Sequence, residues 1–164
     1  ALRAGISISR HAIQGLYGGI RSMGGVGASV EWILGLFWPD LNDRISQFQA
    51  FNQAAIDTHP GSGGIIFRPL SGSHLKPGEP DNSGLIGLAL RHTRGDIARA
   101  LMEGVALELR WLLDDMGAAI QIDSFTMIGG AARSPIWPQI VADITRHPVE
   151  LARNAESARS RFGG

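Results

Sequence analysis

The chain has 164 residues, of which 44% are hydrophobic and 18% charged, proportions typical of a globular protein with its own core. Its 15 basic and 15 acidic residues balance to a formal net charge of zero, which argues against nucleic acid or an anionic membrane as the main partner. The absence of cysteine excludes a disulfide framework, a thiolate metal site and a cysteine nucleophile. It also fits a reducing compartment, so we expect a cytoplasmic protein.

The sequence begins at Ala1 without methionine and without a signal-peptide hydrophobic region. No apolar run approaches the roughly 20 residues that a membrane-spanning helix needs. We therefore expect residues 1–164 to be a single domain from the middle of a longer protein.

The first third of the chain predicts two strands and then two helices. Alternating apolar and polar residues predict strands over Ile6–Ser9 and His11–Tyr17. Helical spacing predicts a helix over Val26–Trp38 that ends before Pro39, and a second helix over Asp43–Thr58. The apolar face expected for the second helix consists of Ile45, Phe48, Ala55 and Ile56.

The middle third predicts a short strand, a long loop and the longest helix. The strand is Ile65–Phe67 and the loop is Leu70–Ser83. Thr93 and Asp96 form a capping box at the start of the helix. Gly104 in its middle costs about 1 kcal/mol relative to alanine, so we expect another element to pack closely there. The predicted buried stripe of this helix is Ile97, Leu101, Val105, Leu109, Leu112 and Met116.

The last third predicts a strand, a helix and a strand. The strand over Phe125–Ile128 is ended by glycines, and Ser134 is expected to cap a helix with Pro135 at its first position. This helix runs to about Arg146, and a final strand follows over Val149–Leu151. Alternation of strands and helices predicts the α/β class.

Two glycine-rich helix beginnings are candidates for ligand binding. At Gly129, Gly130 and Ala131 the small residues would let a ligand approach the backbone, and the following helix start offers free N–H groups. The other interpretation is an ordinary connection that needs glycine for its turn. The motif is neither a Walker loop nor a dinucleotide fingerprint.

The second candidate begins at Gly27 and Ala28, where the first helical turn is bare. Glu31, one turn later, would face the same way as Gly27. A flat ligand group could rest on this turn, or the glycine could serve close packing while Glu31 is solvated; the residues alone leave both open. The five histidines lack metal-ligand spacing, and no Ser-His-Asp arrangement is evident.

Together these motifs resemble the C-terminal domain of the FGGY family of carbohydrate kinases, and within it most closely the xylulokinase group. Residues 129–143 are similar to the family's adenosine motif GGGAxSxxWxQxxAD, and residues 27–32 to its GAxxxW helix start. The resemblance covers about Ile13 to Glu156. The pattern that is similar to the family's C-terminal signature consists of Ser83, Leu85, Gly87, Leu88, Asp96, Ile97, Ala100 and Glu103.

The resemblance implies one lobe of the actin-like ATPase superfamily, with a ribonuclease H-like core of a mixed sheet flanked by helices. It implies transfer of the γ-phosphoryl group of ATP, with Mg²⁺, to the hydroxyl of a sugar such as D-xylulose or a related ketopentose. The aspartate general base and most sugar contacts would lie in an N-terminal lobe outside this chain. No catalytic and no metal-binding residue is therefore assigned here, and a homodimer is left open.

The resemblance also implies roles for individual residues. Gly130 would touch the adenosine with Ala131 beside it, Gly129 would belong to the same ATP-binding motif, and Ser134 would lie near the base. Gly27 and Glu31 would line the other side of the nucleotide.

The sequence departs from the family pattern in two segments. At Ser73 and His74 the Glu-Arg pair of a GERTP-like segment is replaced, which leaves the sugar open. After Glu156 the expected GAA helix beginning does not follow. A family kinase for another sugar or polyol, a non-catalytic nucleotide-binding domain and a structural α/β domain without a ligand are the alternatives.

Overall fold

The computed structural model describes residues 7–69, 84–117 and 122–152. From Gly84 onwards, strands and helices alternate along the described chain, as the α/β class predicts. In chain order the elements are β1 (Ser7–Arg10), β2 (Tyr17–Ile20), α1 (Val26–Phe37), α2 (Arg44–Ile56), β3 (Ile66–Arg68), β4 (Gly84–Ile86), α3 (Arg94–Gly117), β5 (Phe125–Met127), α4 (Trp137–Thr145) and β6 (Val149–Leu151).

Helices α1 and α2 form close to their predicted bounds. Helix α1 follows Gly25, which takes the left-handed conformation at φ 71°, and it ends before Pro39. Helix α2 is capped by Asp43, whose carboxylate accepts from the N–H of Ser46 at 2.8 Å. Each helix start is thus fixed by a local signal that the sequence contains.

The predicted apolar face of α2 is wrong at both ends. Ile45 and Ile56 are exposed, whereas Phe51, Asn52 and Ala55 are buried. The buried residues are spaced three or four apart on one helix face, and the polar Asn52 is among them. Hydrophobicity alone therefore misplaced the two ends of the buried face.

Helix α3 is the central support of the fold. Its capping box is confirmed: Asp96 accepts from the N–H of Thr93 at 2.7 Å and from its hydroxyl at 2.8 Å. The helix contacts α1, α2, α4 and β3. Its predicted stripe is buried at Ile97, Leu101, Val105 and Leu112, and half-buried at Leu109 and Met116.

Two glycines let α3 approach its neighbours closely. A Cβ at Gly104 would overlap the carbonyl oxygen of Phe67 and lie 3.1 Å from its carbonyl carbon. A Cβ at Gly95 would lie 2.6 Å from the carbonyl oxygen of Ala54. The predicted close packing at Gly104 is therefore confirmed, with strand β3 as the packing element.

The core lies between α3 and the other three helices. Phe51 of α2 is fully buried, and its ring lies 5.9 Å from that of Trp38 and 6.4 Å from that of Trp137. This aromatic cluster joins the end of α1, the middle of α2 and the start of α4. It brings three segments that are distant in sequence to one place.

The described strands pair two by two. β1 pairs with β2 and β3 with β4, both antiparallel, while β5 pairs with β6 in parallel across α4. The described strands thus include both parallel and antiparallel pairs, as a mixed sheet would. They form three separate pairs, however, and not one continuous sheet.

The second strand lies later than predicted. It spans Tyr17–Ile20, and His11–Leu16 form the turn of a hairpin, where the N–H of His11 donates to the carbonyl of Leu16 at 3.0 Å. Gly15 has φ 88°, which a strand does not allow. The alternating pattern of residues 11–17 therefore comes from a turn.

The start of α4 also differs from the prediction. A 3-10 turn, Ala131–Arg133, precedes Ser134, and the regular helix begins at Trp137 with Pro138 in its first turn rather than Pro135. The final strand over Val149–Leu151 is confirmed. The expected loop at 70–83, including Ser73 and His74, and the segment after Glu156 lie outside the described residues.

Candidate functional site

The two glycine-rich segments, one at the start of α1 and one between β5 and α4, line the same groove. Its volume is about 840 Å³, and it lies between the first turns of α1 and α2 on one side and the segment from β5 to α4 on the other. Gly27 and Glu31 contribute from α1, and Gly130 and Ala131 from the opposite side. Positions about one hundred residues apart in the sequence thus meet across one space.

The groove is lined largely by bare backbone where these two segments begin. A Cβ built at Gly27 or at Gly130 would meet no atom within 4 Å, so the space beside each is open. Gly129 does not line the groove; its φ of 84° instead turns the chain between β5 and the 3-10 turn. Of the predicted adenosine residues, Gly130 and Ala131 therefore face the groove, and Gly129 shapes the approach to it.

An apolar wall runs along the groove. Val26, Val30 and Leu34 supply it from α1, and Phe48 and Trp137 extend it from α2 and α4. The wall continues into the core, since Leu34 and Trp137 are buried. Such a surface suits a flat apolar group. No local sequence pattern predicted the part of the wall that α2 contributes.

Charged groups lie at the rim of the groove. Glu31 of α1 is paired with Arg44, the first residue of α2, whose guanidinium also donates to Gln47 at 2.7 Å. Arg133 lines the opposite side. Sequence reasoning found Glu31 but missed both arginines, because their position depends on how the elements pack.

Ser134, which the family resemblance places near a bound base, does not line the groove. It is 4% exposed; its hydroxyl donates to Oδ1 of Asn52 and accepts from the N–H of Trp137 at 3.1 Å. Asn52 in turn donates to the carbonyl of Phe48 at 2.7 Å. Ser134 therefore fastens the start of α4 to α2, and so holds the two sides of the groove together.

Glu103, one of the signature residues, also serves the scaffold. Its carboxylate accepts from the N–H of Gly61 at 3.0 Å, from the hydroxyl of Ser62 at 2.8 Å and from Nε of Arg99 at 2.8 Å. Arg99 reaches on to the carbonyl of Thr58. This network fixes the turn that follows α2, away from the groove.

Within residues 7–69, 84–117 and 122–152, no group of three or more histidine, aspartate and glutamate residues could hold a metal ion. The acidic residue among the described lining residues is Glu31, and it is paired with Arg44. These residues therefore do not fit a resident Mg²⁺ ion.

Across the described ranges, no helix has both the length and the apolar character that crossing a bilayer requires.

Comparison with known proteins gives the family. Residues 10–159 match the C-terminal domain of the FGGY family of carbohydrate kinases. The chain is 27% identical over 154 residues to the xylulose kinase of Staphylococcus epidermidis strain RP62A, which covers 92% of this chain and 30% of that enzyme. It is 34% identical over 130 residues to the glycerol kinase of Gloeobacter violaceus, covering 76% of this chain and 24% of the relative.

The fold is shared with solved kinases. The crystal structure of xylulose kinase from Rhodospirillum rubrum matches with a TM-score of 0.71 and 29% identity, over 92% of this chain and 30% of that one. The chain thus spans between 24% and 30% of the length of these relatives. The expected actin-like α/β fold is confirmed by these neighbours, and the chain belongs to the FGGY family of carbohydrate kinases, whose C-terminal domain it contains.

Proposed function

We propose that this chain is the nucleotide-binding lobe of a kinase that transfers the γ-phosphoryl group of ATP to a sugar hydroxyl. The observation that carries the proposal is the meeting of two side-chain-poor segments across one groove: the first turn of α1 at Gly27 and the connection between β5 and α4 at Gly130. The family supports phosphoryl transfer to a carbohydrate, and the groove supports the nucleotide as the ligand of this part.

The groove suits an adenine nucleotide in size and lining. Its volume of about 840 Å³ lies within the range of small-molecule sites, and its long wall is apolar. A base would rest on that wall, with the bare turns at Gly27 and Gly130 allowing contact with the backbone. Arg133, on the opposite side of the groove from α1, would favour the negative charge of the phosphates.

This chain's part in the reaction is to bind and orient. Phosphoryl transfer depends mainly on positioning and on neutralising charge, and a general base takes the proton of the attacking hydroxyl. The described lining residues include no carboxylate free of an ion pair that would serve as this base. We therefore expect the aspartate base and most sugar contacts in the remaining two thirds of a family kinase, and Mg²⁺ to accompany the nucleotide's phosphates.

For the sugar we propose D-xylulose or a related ketopentose. Support comes from the xylulose kinases among the relatives in sequence and structure. A different sugar or polyol is the rival, because a glycerol kinase matches at a higher identity than the xylulose kinase, 34% against 27%, over a shorter stretch of 130 against 154 residues. Turnover of a panel of ketopentoses, gluconate and glycerol by the full-length kinase separates the two. The place of action would be the cytoplasm, which fits the lack of cysteine.

Calorimetric titration of the intact chain with ADP and with a non-hydrolysable ATP analogue tests the nucleotide proposal. We expect saturable binding of both at one site, and no sugar-dependent ATP turnover in a coupled assay of this chain alone. A chain that stays folded and binds neither nucleotide would contradict the proposal and favour a structural domain. Binding by the chain, together with an inactive full-length protein, would favour a non-catalytic nucleotide-binding domain.

A further inference from the structure

The ion pair between Glu31 and Arg44 lies at the rim of the groove and joins α1 to α2. Both side chains are well exposed, 66% for Glu31 and 42% for Arg44. Exposed ion pairs of this kind contribute little to the stability of a fold. Stability therefore does not explain why these two residues are held together.

Arg44 also occupies an unfavourable place in its helix. It is the first residue of α2, where the N–H groups present a partial positive charge that disfavours a cation. The helix has no acidic residue in its first turn, and its cap is supplied by Asp43. An arginine at this position works slightly against the helix, which points to a role outside it.

The guanidinium of Arg44 is itself held in place. It donates to Oε1 of Gln47 at 2.7 Å, and Nε2 of Gln47 donates to the carbonyls of Trp38 and Leu41, both at 3.0 Å. A continuous chain of contacts therefore runs from the α1–α2 connection through Gln47 and Arg44 to the carboxylate of Glu31. An arginine whose guanidinium is held through one nitrogen can orient a carboxylate with another nitrogen more precisely than a flexible lysine can.

We infer that Arg44 is a positioning residue for nucleotide binding: it holds the carboxylate of Glu31 at the groove rim, facing the nucleoside part of the ligand. This inference rests on the nucleotide-binding function proposed above. A carboxylate accepts hydrogen bonds, so its natural partners on a nucleoside are the ribose hydroxyls and an exocyclic amino group. Without Arg44, the exposed side chain of Glu31 would sample several rotamers and present its oxygens to these donors less often.

The test compares adenosine, which is uncharged, with ADP, in calorimetric titrations of the intact protein. If Arg44 acts through Glu31 on the nucleoside, Arg44→Met weakens binding of both ligands by a similar factor, on the order of tenfold. Arg44→Lys, which restores the charge without the fork, recovers part of the loss. The control is Gln53→Ala, on the exposed face of the same helix, where the side-chain amide of Gln53 donates to the carboxylate of Asp57; it leaves both affinities unchanged.

A double-mutant cycle separates positioning from a purely structural role. In a Glu31→Gln background, Arg44→Met should cause no further loss of affinity, and the thermal midpoint should stay within the range of the Gln53→Ala control. The inference is overturned if Arg44→Met weakens ADP alone, or if its effect persists in the Glu31→Gln background. Wild-type protein that binds neither adenosine nor ADP would overturn the nucleotide proposal along with it, whereas normal binding by Arg44→Met would overturn this inference alone.

Discussion

The carbonyl oxygen of Phe67 occupies the space that a side chain at Gly104 would need. This contact places strand β3 directly on the middle of α3, on the helix that supports both sides of the groove. Glycine in a helix normally costs stability, so its presence here is explained by the neighbour and not by the helix itself.

Replacing Gly104 by alanine is therefore expected to destabilise the fold by about 1–3 kcal/mol, because the overlap with Phe67 outweighs the gain of about 1 kcal/mol in helix propensity. Denaturant unfolding followed by circular dichroism measures the change. The matched control is Gly35→Ala in α1, where a Cβ would meet nothing within 4 Å. That variant should be up to about 1 kcal/mol more stable than wild type. Equal stabilisation by both substitutions would show that β3 does not pack at Gly104 as described.

Ser134→Ala is expected to lower the free energy of unfolding by about 2 kcal/mol, since it removes the acceptor for the N–H of Trp137 at the start of α4 and leaves the buried Oδ1 of Asn52 without its donor. Nucleotide affinity should change less than about threefold, because Ser134 does not line the groove. The control on the same helix is Gln139→Ala, whose exposed contact with Asp143 is worth about 0.5 kcal/mol or less. A stable Ser134→Ala variant with greatly weakened ADP binding would instead support a role for Ser134 beside the base.

The capping box at the start of α3 should make stability depend on pH. The N–H of Thr93, together with its hydroxyl and the nearby His92, holds the pKa of Asp96 below its ordinary value of 3.8 despite partial desolvation. A lowered pKa means that the folded state favours the carboxylate. Its contribution is therefore complete above the unfolded value and is lost as the pH falls through the folded pKa.

Asp96→Asn should accordingly reduce the free energy of unfolding at pH 7 by about 0.3–1 kcal/mol. The difference from wild type should shrink below pH 3.8 and vanish at lower pH. Urea unfolding at a series of pH values gives both curves. A difference that stays constant across this range would mean that the ionised form of Asp96 is not what stabilises the helix start.

Gly130→Leu is expected to reduce ADP affinity at least tenfold without changing stability by more than about 0.5 kcal/mol. Gly130 has an ordinary helical backbone, φ −61° and ψ −43°, so leucine causes no strain there, yet its side chain would fill the groove. Gly35→Leu, on an exposed helix position outside the groove, should bind ADP as wild type does. Calorimetry for affinity and thermal unfolding for stability are measured on the same samples. Unchanged binding by Gly130→Leu would exclude this groove as the nucleotide site.

Local signals allowed much of the fold to be predicted. The proline after α1, the Asp43 cap and the Thr93–Asp96 box are short-range patterns, and the helices begin or end beside them. The second strand was placed too early because the hairpin turn at His11–Leu16 alternates apolar and polar residues as a strand does. Periodicity alone does not distinguish the two.

The candidate site was only partly predictable for a different reason. Gly27 and Gly130 stand out in the sequence because bare helix starts have a recognisable pattern, and the structure does bring them to one groove. The contacts of Glu31 with Arg44 and of Ser134 with Asn52 both involve α2, which has no sequence feature that points to either partner. Such pairs follow from tertiary packing, and no local propensity encodes them.

The position of α3 beneath both walls has a practical consequence for engineering. Because α1, α2 and α4 each contact this one helix, the distance between the two sides of the groove depends on how closely each packs on α3. The helix contains small buried residues such as Ala98 and Ala106, where a larger side chain would have to displace a neighbouring element. The shape of the groove is thus sensitive to core residues that do not line it.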